Sequence, residues 1–161
     1  MEKFQEALEK SRQNLKVAEH MVFVTYPFVK DNKILLAVVE NIFLSMTNTM
    51  GALLHYERLF RQIPPFHDNY ESKLRMFKEK LVRKFRIDQK NLLAMEELKN
   101  IILDHKKSPV EFSRANKLVI CSDDYSMKTI SIESVKVYLS AARQFQKDAE
   151  GIVSVNETIF G

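Results

Sequence analysis

Apolar residues recur in this chain at alternating steps of four and three, a spacing that places side chains on one face of an α-helix. The first stripe predicts a helix from Glu2 to Thr25, which Pro27 should end or kink because proline lacks a backbone donor. Its members are Phe4, Leu8, Ser11, Leu15, Ala18, Val22 and Thr25. A second helix, from Lys33 to Gln62, is apolar over most of its circumference. We expect it to be the central helix of the fold.

Three further amphipathic segments follow. A third helix is predicted to start at an Asp68 cap, with Glu71 reaching back to it, and a fourth to start at Asp88. A fifth is expected to run from Ser131, a favourable N-cap residue, to near Val155. The tail over 156–161 is expected to be loose.

The segment between the fourth and fifth helices has a different pattern. Two short β-prone runs, Leu118–Cys121 and Met127–Ile130, flank a polar turn and predict a β-hairpin, with Val110–Ser113 as a candidate third strand. The chain is therefore predicted to be a single mainly α domain over residues 1–161. Its architecture is an antiparallel up-and-down bundle of four to five helices, with a small β-hairpin (110–130) inserted before the last helix.

Composition excludes several classes of protein. Three glycines and four prolines in 161 residues are too few for a turn-rich all-β fold. A single cysteine, Cys121, excludes an internal disulfide and a four-cysteine zinc site, and we expect it to be a buried, inert thiol. Glycine occurs only at positions 51, 151 and 161, which excludes a P-loop or a dinucleotide-binding fingerprint. No cofactor and no metal site are expected.

The distribution of apolar residues also bears on location. The longest unbroken apolar run, Ile34–Val39, is far shorter than the ~20 residues of a membrane helix. The first residues are charged from Glu2 onward, unlike a secretory signal. A cytoplasmic protein with no membrane partner is predicted.

The formal charge of +4 is unevenly distributed, because residues 58–90 have a charge of +6 and the rest of the chain −2. A basic segment can bind phosphate groups, whose counterions it releases. The candidate phosphate-binding residues are Lys73, Arg75, Lys80, Arg83 and Lys84. The alternative is an ordinary solvated face, which the acid-first pair Glu71 and Arg75 favours.

Arg61 and His67 form the first candidate catalytic pair. Arginine can hold a phosphate bidentately, and histidine can act as general acid or base near neutral pH. Together they could cleave RNA by activating the ribose 2′-hydroxyl. The alternative places Arg61 at a helix C-terminus, where a cation is favourable, and His67 in a loop.

Two other groups of residues are candidate binding sites. A polar stripe on the second helix could line a pocket, form a subunit interface or form a hydrogen-bonded core layer. Its members are Asn41, Ser45, Asn48, Ala52 and His55. The pair Asp123 and Asp124 could bind a hard cation, although turns favour aspartate anyway.

Two segments resemble the HEPN family of small helical bundles. ALEKSRQNLKVAEHMV is similar to the first HEPN helix, and ALLHYERLFRQIPPFHDNYESKLRMF is similar to the second helix, a short loop and the third helix. The resemblance covers about the first half of the chain. It implies a helical bundle, often dimeric, that is either an RNase of toxin–antitoxin pairs or a non-catalytic binding module.

Catalytic HEPN members carry an Arg and a His four to six residues apart, which Arg61 and His67 match loosely, and Gln62 matches the usual polar residue after the Arg. The chain departs from the pattern where Pro64 and Pro65 separate the pair, and in the hairpin inserted at 110–130.

The leading functional prediction is a non-catalytic HEPN-like module that binds RNA, a nucleotide or a protein partner through its basic middle segment. The alternatives are a metal-independent RNase that uses Arg61 and His67, and a structural subunit whose polar stripe forms a symmetric interface. A homodimer is expected in each case.

Overall fold

The longest apolar stretch of the chain forms a helix at the centre of a bundle. The computed structural model describes residues 1–108, 110–122, 124 and 126–160, and only the backbone of Val110 and of 155–160. The elements are α1 (Lys3–His20), a π-helical turn (Met21–Thr25), α2 (Tyr26–Val29), α3 (Ile34–Leu59), α4 (Tyr70–Met76), a second π-helical turn (Phe77–Leu81), α5 (Gln89–Lys107), β1 (Val110–Arg114), β2 (Lys117–Cys121), β3 (Met127–Ser131) and α6 (Ile132–Phe160).

These segments join into five helical rods in the described part of the chain, since each π-helical turn is continuous with its neighbours. The structure confirms the predicted mainly α bundle with a small sheet before the last helix. The ion pairs Arg12–Glu150 and Arg143–Glu19, both 2.7 Å, hold α6 antiparallel to α1.

Helix α3 packs against α1, α4, α5 and α6. Its length and composition would fit a membrane span, but half of its most apolar stretch is buried inside the protein. The fully buried side chains include Leu35, Ile42 and Leu54. These contacts are those of a core helix, because other helices cover much of its apolar surface.

Two predicted helix ends differ from the structure. Pro27 does not end the first rod, because the π-helical turn before it lets the Tyr26 amide donate to the Met21 carbonyl and α2 continues to Val29. Helix α3 ends at Leu59 instead of Gln62, because Arg61 adopts a left-handed conformation with a φ of 55°.

The helix caps are partly as predicted. Asp88 caps α5, accepting from the Lys90 amide at 2.9 Å, and Ser131 accepts from the Ser134 amide at 3.1 Å at the start of α6. The predicted Asp68 cap is wrong, since Asn69 caps α4 by accepting from the Ser72 amide at 2.8 Å. Asp68 is instead engaged by Lys73, which lies in α4.

The three strands form an antiparallel meander in the order β1–β2–β3, so the candidate third strand is confirmed. Arg114 pairs with Lys117 across a tight turn in which Ala115 has a φ of 55°. Helix α6 continues to Phe160, beyond the predicted end near Val155. Pro109, Asp123, Tyr125 and Gly161 lie outside the described residues.

A small polar layer lies inside the α1–α3 interface. The Ser11 hydroxyl lies 2.7 Å from that of Thr49 and 3.1 Å from that of Ser45, and it accepts from the Gln146 amide of α6 at 2.8 Å. Ser45 donates to the Ser11 carbonyl at 3.0 Å. Every hydroxyl in the layer therefore has a partner, and the layer joins three helices.

Replacing Ser11 with Ala should lower the free energy of unfolding by about 1 kcal/mol, because Gln146 and Thr49 lose a shared partner. The control is Ser140→Ala on the exposed face of α6, which should change stability little. Urea unfolding of both variants checks this. Equal stability of the two variants would mean that the layer contributes no net stabilisation.

Candidate functional site

A cleft of about 450 Å³ opens between the first part of α1, the second half of α3, the loop after α3 and the start of α4. We call it the basic cleft. It is lined by Lys3, Glu6, Ala7, Lys10, Asn48, Gly51, His55, Arg58, Pro65, Phe66, Asp68 and Lys73. The two helices run antiparallel here, as the contact between the Phe4 and Tyr56 rings at 5.1 Å shows.

Helical spacing explains why these side chains share one cleft. Lys3, Glu6 and Lys10 follow at steps of three and four, beside the buried stripe of α1. Asn48, Gly51, His55 and Arg58 follow with the same spacing on α3. Packing the two buried stripes together therefore brings both polar rows to the same edge of the interface.

Four cationic side chains and two carboxylates line the basic cleft, so its fixed charge is positive. The cations are Lys3, Lys10, Arg58 and Lys73. Asp68 accepts from Lys73 at 2.5 Å, and this hydrogen bond together with the ammonium charge lowers the pKa of Asp68. Lys3 and Lys10 form no ion pair within the described residues, which leaves them available to an anionic ligand.

The Lys73 ammonium lies close to Gly51 of α3. A Cβ atom at position 51 would lie 3.8 Å from Lys73 Nζ, an ordinary contact, whereas a longer side chain would occupy the cleft. Lys73 is 22% exposed, so most of its side chain is covered while its charge faces the cleft.

His55 lies on the wall of the basic cleft, with its ring centroid 5.4 Å from that of Phe66. Burial lowers the pKa of His55, and the positive charges of Lys73 and Lys3 lower it further. The imidazole is therefore held in its neutral form at neutral pH, and the charge of the cleft depends on its protonation at lower pH.

Arg61 and His67 both lie outside the basic cleft. Both residues are exposed, and neither side chain has a hydrogen bond or an ion pair among the residues that the structure describes. Arg61 occupies the left-handed position that ends α3, and His67 lies in the loop before α4. Their catalytic role stays a prediction.

The predicted basic segment does not form a single face. Lys73 enters the cleft, whereas Lys84 pairs at 2.6 Å with Glu57, whose side chain is only 4% exposed. Glu57 lies two residues from His55, about 200° around α3, so Lys84 is on another side of the helix. Arg75, Lys80 and Arg83 are exposed, with no ion pair in the described part of the chain.

The sequence analysis missed Lys3, Lys10 and Glu57. The two lysines could have been found from their spacing. With Glu6 between them, they lie beside the first apolar stripe at steps of three and four residues, the same spacing as the polar residues of the second helix. No local pattern marks Glu57, because its partner Lys84 is 27 residues away.

The other candidates have structural roles. In the polar stripe, Ser45 belongs to the buried layer, while Asn48, which donates to Asn14 at 3.1 Å, and His55 line the cleft. Asp124 accepts from Ser122 and Ser126, and these hydrogen bonds lower its pKa to about 2. No group of three or more His, Cys, Asp or Glu side chains converges among the described residues. Cys121 is half-buried, less covered than expected.

Comparison with known proteins adds no assignment: no protein-family model matches this chain, and neither does any curated protein or solved structure.

Replacing Lys84 with Met should lower the free energy of unfolding by about 1–2 kcal/mol, because the buried Glu57 carboxylate loses its charged partner. The matched control is Lys80→Met, which removes an exposed lysine of the same segment and should have an effect within about 0.5 kcal/mol. Chemical unfolding of the two variants measures the difference. A Lys80 effect as large as that of Lys84 would show that the pair is not stabilising.

Proposed function

We propose that this protein is a non-catalytic cytoplasmic binding module that holds a phosphate-bearing ligand, a nucleotide or the backbone of RNA, in the basic cleft. The observation that carries the proposal is the gathering of Lys3, Lys10, Arg58 and Lys73 in one cleft with only two carboxylates. A concave site with excess positive charge concentrates anions and binds them through charge-assisted hydrogen bonds.

The aromatic wall of the cleft favours a nucleotide or RNA over a simple inorganic anion. The His55 and Phe66 rings, 5.4 Å apart, present flat surfaces beside the cationic groups. Bases stack on such rings while phosphates contact lysine and arginine. The cleft therefore offers partners for both parts of a nucleotide.

The HEPN-like resemblance remains part of this proposal, and the helical bundle supports it at the level of the fold. The non-catalytic form is preferred because Arg61 and His67 lie apart from the basic cleft. A homodimer belongs to the same proposal, as it is frequent in that family.

We expect Lys10→Gln to weaken binding of a nucleoside triphosphate and of a single-stranded RNA about tenfold, because one charge-assisted contact is lost. The matched control is Lys16→Gln, which removes an exposed lysine on the same helix outside the cleft. Calorimetric titration at low and raised salt measures both, and affinity should fall as salt rises. Equal affinities of the two variants would refute the site.

Arg83→Gln tests whether the ligand's phosphates contact residues outside the cleft. This exposed arginine lies outside the cleft, so a loss of affinity for RNA alone indicates that the RNA backbone also contacts residues beyond the cleft, and no loss for either ligand indicates that the cleft alone binds the phosphate. Cleavage of the RNA in EDTA that disappears in His67→Ala would instead establish the nuclease and contradict the non-catalytic role.

We expect binding of a phosphodiester ligand to strengthen as the pH falls from about 8 to about 5. In the free protein, burial and two ammonium groups lower the pKa of His55. A bound anion offsets those charges and raises that pKa, so binding takes up a proton and tightens at lower pH. A phosphodiester is suitable because its own charge does not change in this range.

The pH dependence should disappear in His55→Gln and persist in His67→Gln, which replaces an exposed histidine outside the cleft. Titrations of the three proteins at several pH values measure this. The same slope in all three would exclude His55 as its source.

A further inference from the structure

The turn between α1 and α3 carries large apolar side chains that are more than half exposed. Phe28 is 91% exposed, and Phe23, Val24 and Val29 are each at least 51% exposed. We call these four residues the apolar tip. They lie within two helical turns at the same end of the first rod, with Phe23 on the side that faces α6.

The apolar tip is held in a defined conformation. The Tyr26 hydroxyl donates to Asn32 Oδ1 at 2.9 Å, and both residues are buried. Lys30 ends α2 in a left-handed conformation with a φ of 55°, and its amide donates to the Tyr26 carbonyl at 2.8 Å. These hydrogen bonds hold the turn in place from inside the protein, and the fold therefore keeps Phe28 exposed.

Cationic side chains surround the apolar tip. Lys30 and Lys33 follow it directly in the chain, and both are exposed. Asn32 donates to the carbonyls of Ala115 at 3.4 Å and Lys117 at 3.3 Å, which brings the exposed Arg114 and Lys117 of the β1–β2 turn to the same end. None of these four cations forms an ion pair with a described residue.

The acidic residues at this end include Asp31 and the exposed Glu133 in the first turn of α6. Asp31 is the one acidic residue between Met21 and Lys33, and its carboxylate accepts from the Lys33 backbone amide at 2.9 Å. On the other side, Lys136 of α6 lies 5.8 Å from the Phe23 ring. The apolar surface is therefore bordered by net positive charge.

We propose that the apolar tip docks this protein on the surface of a bilayer that contains anionic lipids. Phenylalanine and valine side chains would enter the boundary between headgroups and acyl chains, while Lys30, Lys33, Arg114 and Lys117 contact the negative headgroups. Peripheral contact needs no spanning segment, so the proposal departs from the expectation of no membrane partner without requiring α3 to leave the core.

The shape of the surface favours a lipid over a protein partner. A side chain that is 91% exposed protrudes on nearly every side, so a protein would have to supply the whole pocket for Phe28. A lipid surface accepts a protruding apolar group anywhere. The charge around the tip also complements anionic headgroups.

Docking through the tip would leave the basic cleft accessible. Lys10 of the cleft and Phe28 of the tip are separated by 18 residues of one continuous rod, a distance of about 27 Å at helical rise. The two proposals are independent, since neither site contains a residue of the other.

The test exploits the absence of tryptophan from the chain. Phe28→Trp gives a single fluorophore in the tip, and Leu93→Trp gives one at an exposed apolar position of α5, a matched control. Vesicles of phosphatidylcholine with phosphatidylserine should shift the emission of the Phe28 variant to the blue and leave that of the Leu93 variant unchanged. No shift in the Phe28 variant would overturn the proposal.

Vesicle sedimentation tests the contributions of apolar and charged groups. We expect Phe28→Ser to lower partitioning about tenfold and Lys33→Gln about fivefold. Leu93→Ser and Lys16→Gln should have no effect, and phosphatidylcholine alone should bind much less protein. Thermal unfolding confirms that Phe28→Ser is folded, as expected for an exposed position. Equal partitioning of Phe28→Ser and Leu93→Ser would refute the tip.

Sedimentation velocity provides the remaining discriminating result. In one outcome, the wild type forms a concentration-dependent dimer that Phe28→Ser abolishes, and the wild type does not bind the vesicles. That result would show that the apolar tip binds a second copy of the chain instead of a lipid surface. A wild type that binds vesicles supports the proposal, whether it is a monomer or a dimer that Phe28→Ser leaves intact.

Discussion

The structure depends on the burial of α3. A helix that is apolar around most of its circumference must be covered on most of its sides, and here α1, α4, α5 and α6 provide the cover. Such burial is non-directional, so it does not by itself set the register of the helices. The hydroxyl layer of Ser11, Ser45 and Thr49 adds directional contacts, and the ion pairs between α1 and α6 add others at the surface.

The basic cleft follows from this packing, because it lies where cover of α3 is incomplete. Gly51 and Asn48 leave space there, and lysines at the edge of the buried stripe of α1 face it. Burial lowers the pKa of His55, and the positive charges of Lys73 and Lys3 lower it further. Charge, shape and the protonation of one histidine are therefore linked at a single place, which is the physical basis of the proposed binding function.

The two proposed surfaces use opposite ends of the same rod for different chemistry. At one end, polar rows from α1 and α3 enclose a concave, cationic space. At the other end, the chain reverses between α2 and α3 and exposes an apolar surface bordered by lysines. A concave site with fixed charges suits a small or linear anion, whereas a convex apolar surface suits a fluid interface.

The sequence by itself determined the helices and strands, because residues such as Leu8, Leu139 and Ser131 act through contacts a few positions away or through a pattern of local period. It did not determine the site. Whether a lysine is available to a ligand depends on which carboxylate it meets. Lys84 meets Glu57 across 27 residues, while Lys10 meets no carboxylate among the described residues. Only the tertiary structure decided these pairings, because the interaction between two charges depends on the distance between them in space. Helical periodicity gives distances within one helix but not between two separate helices.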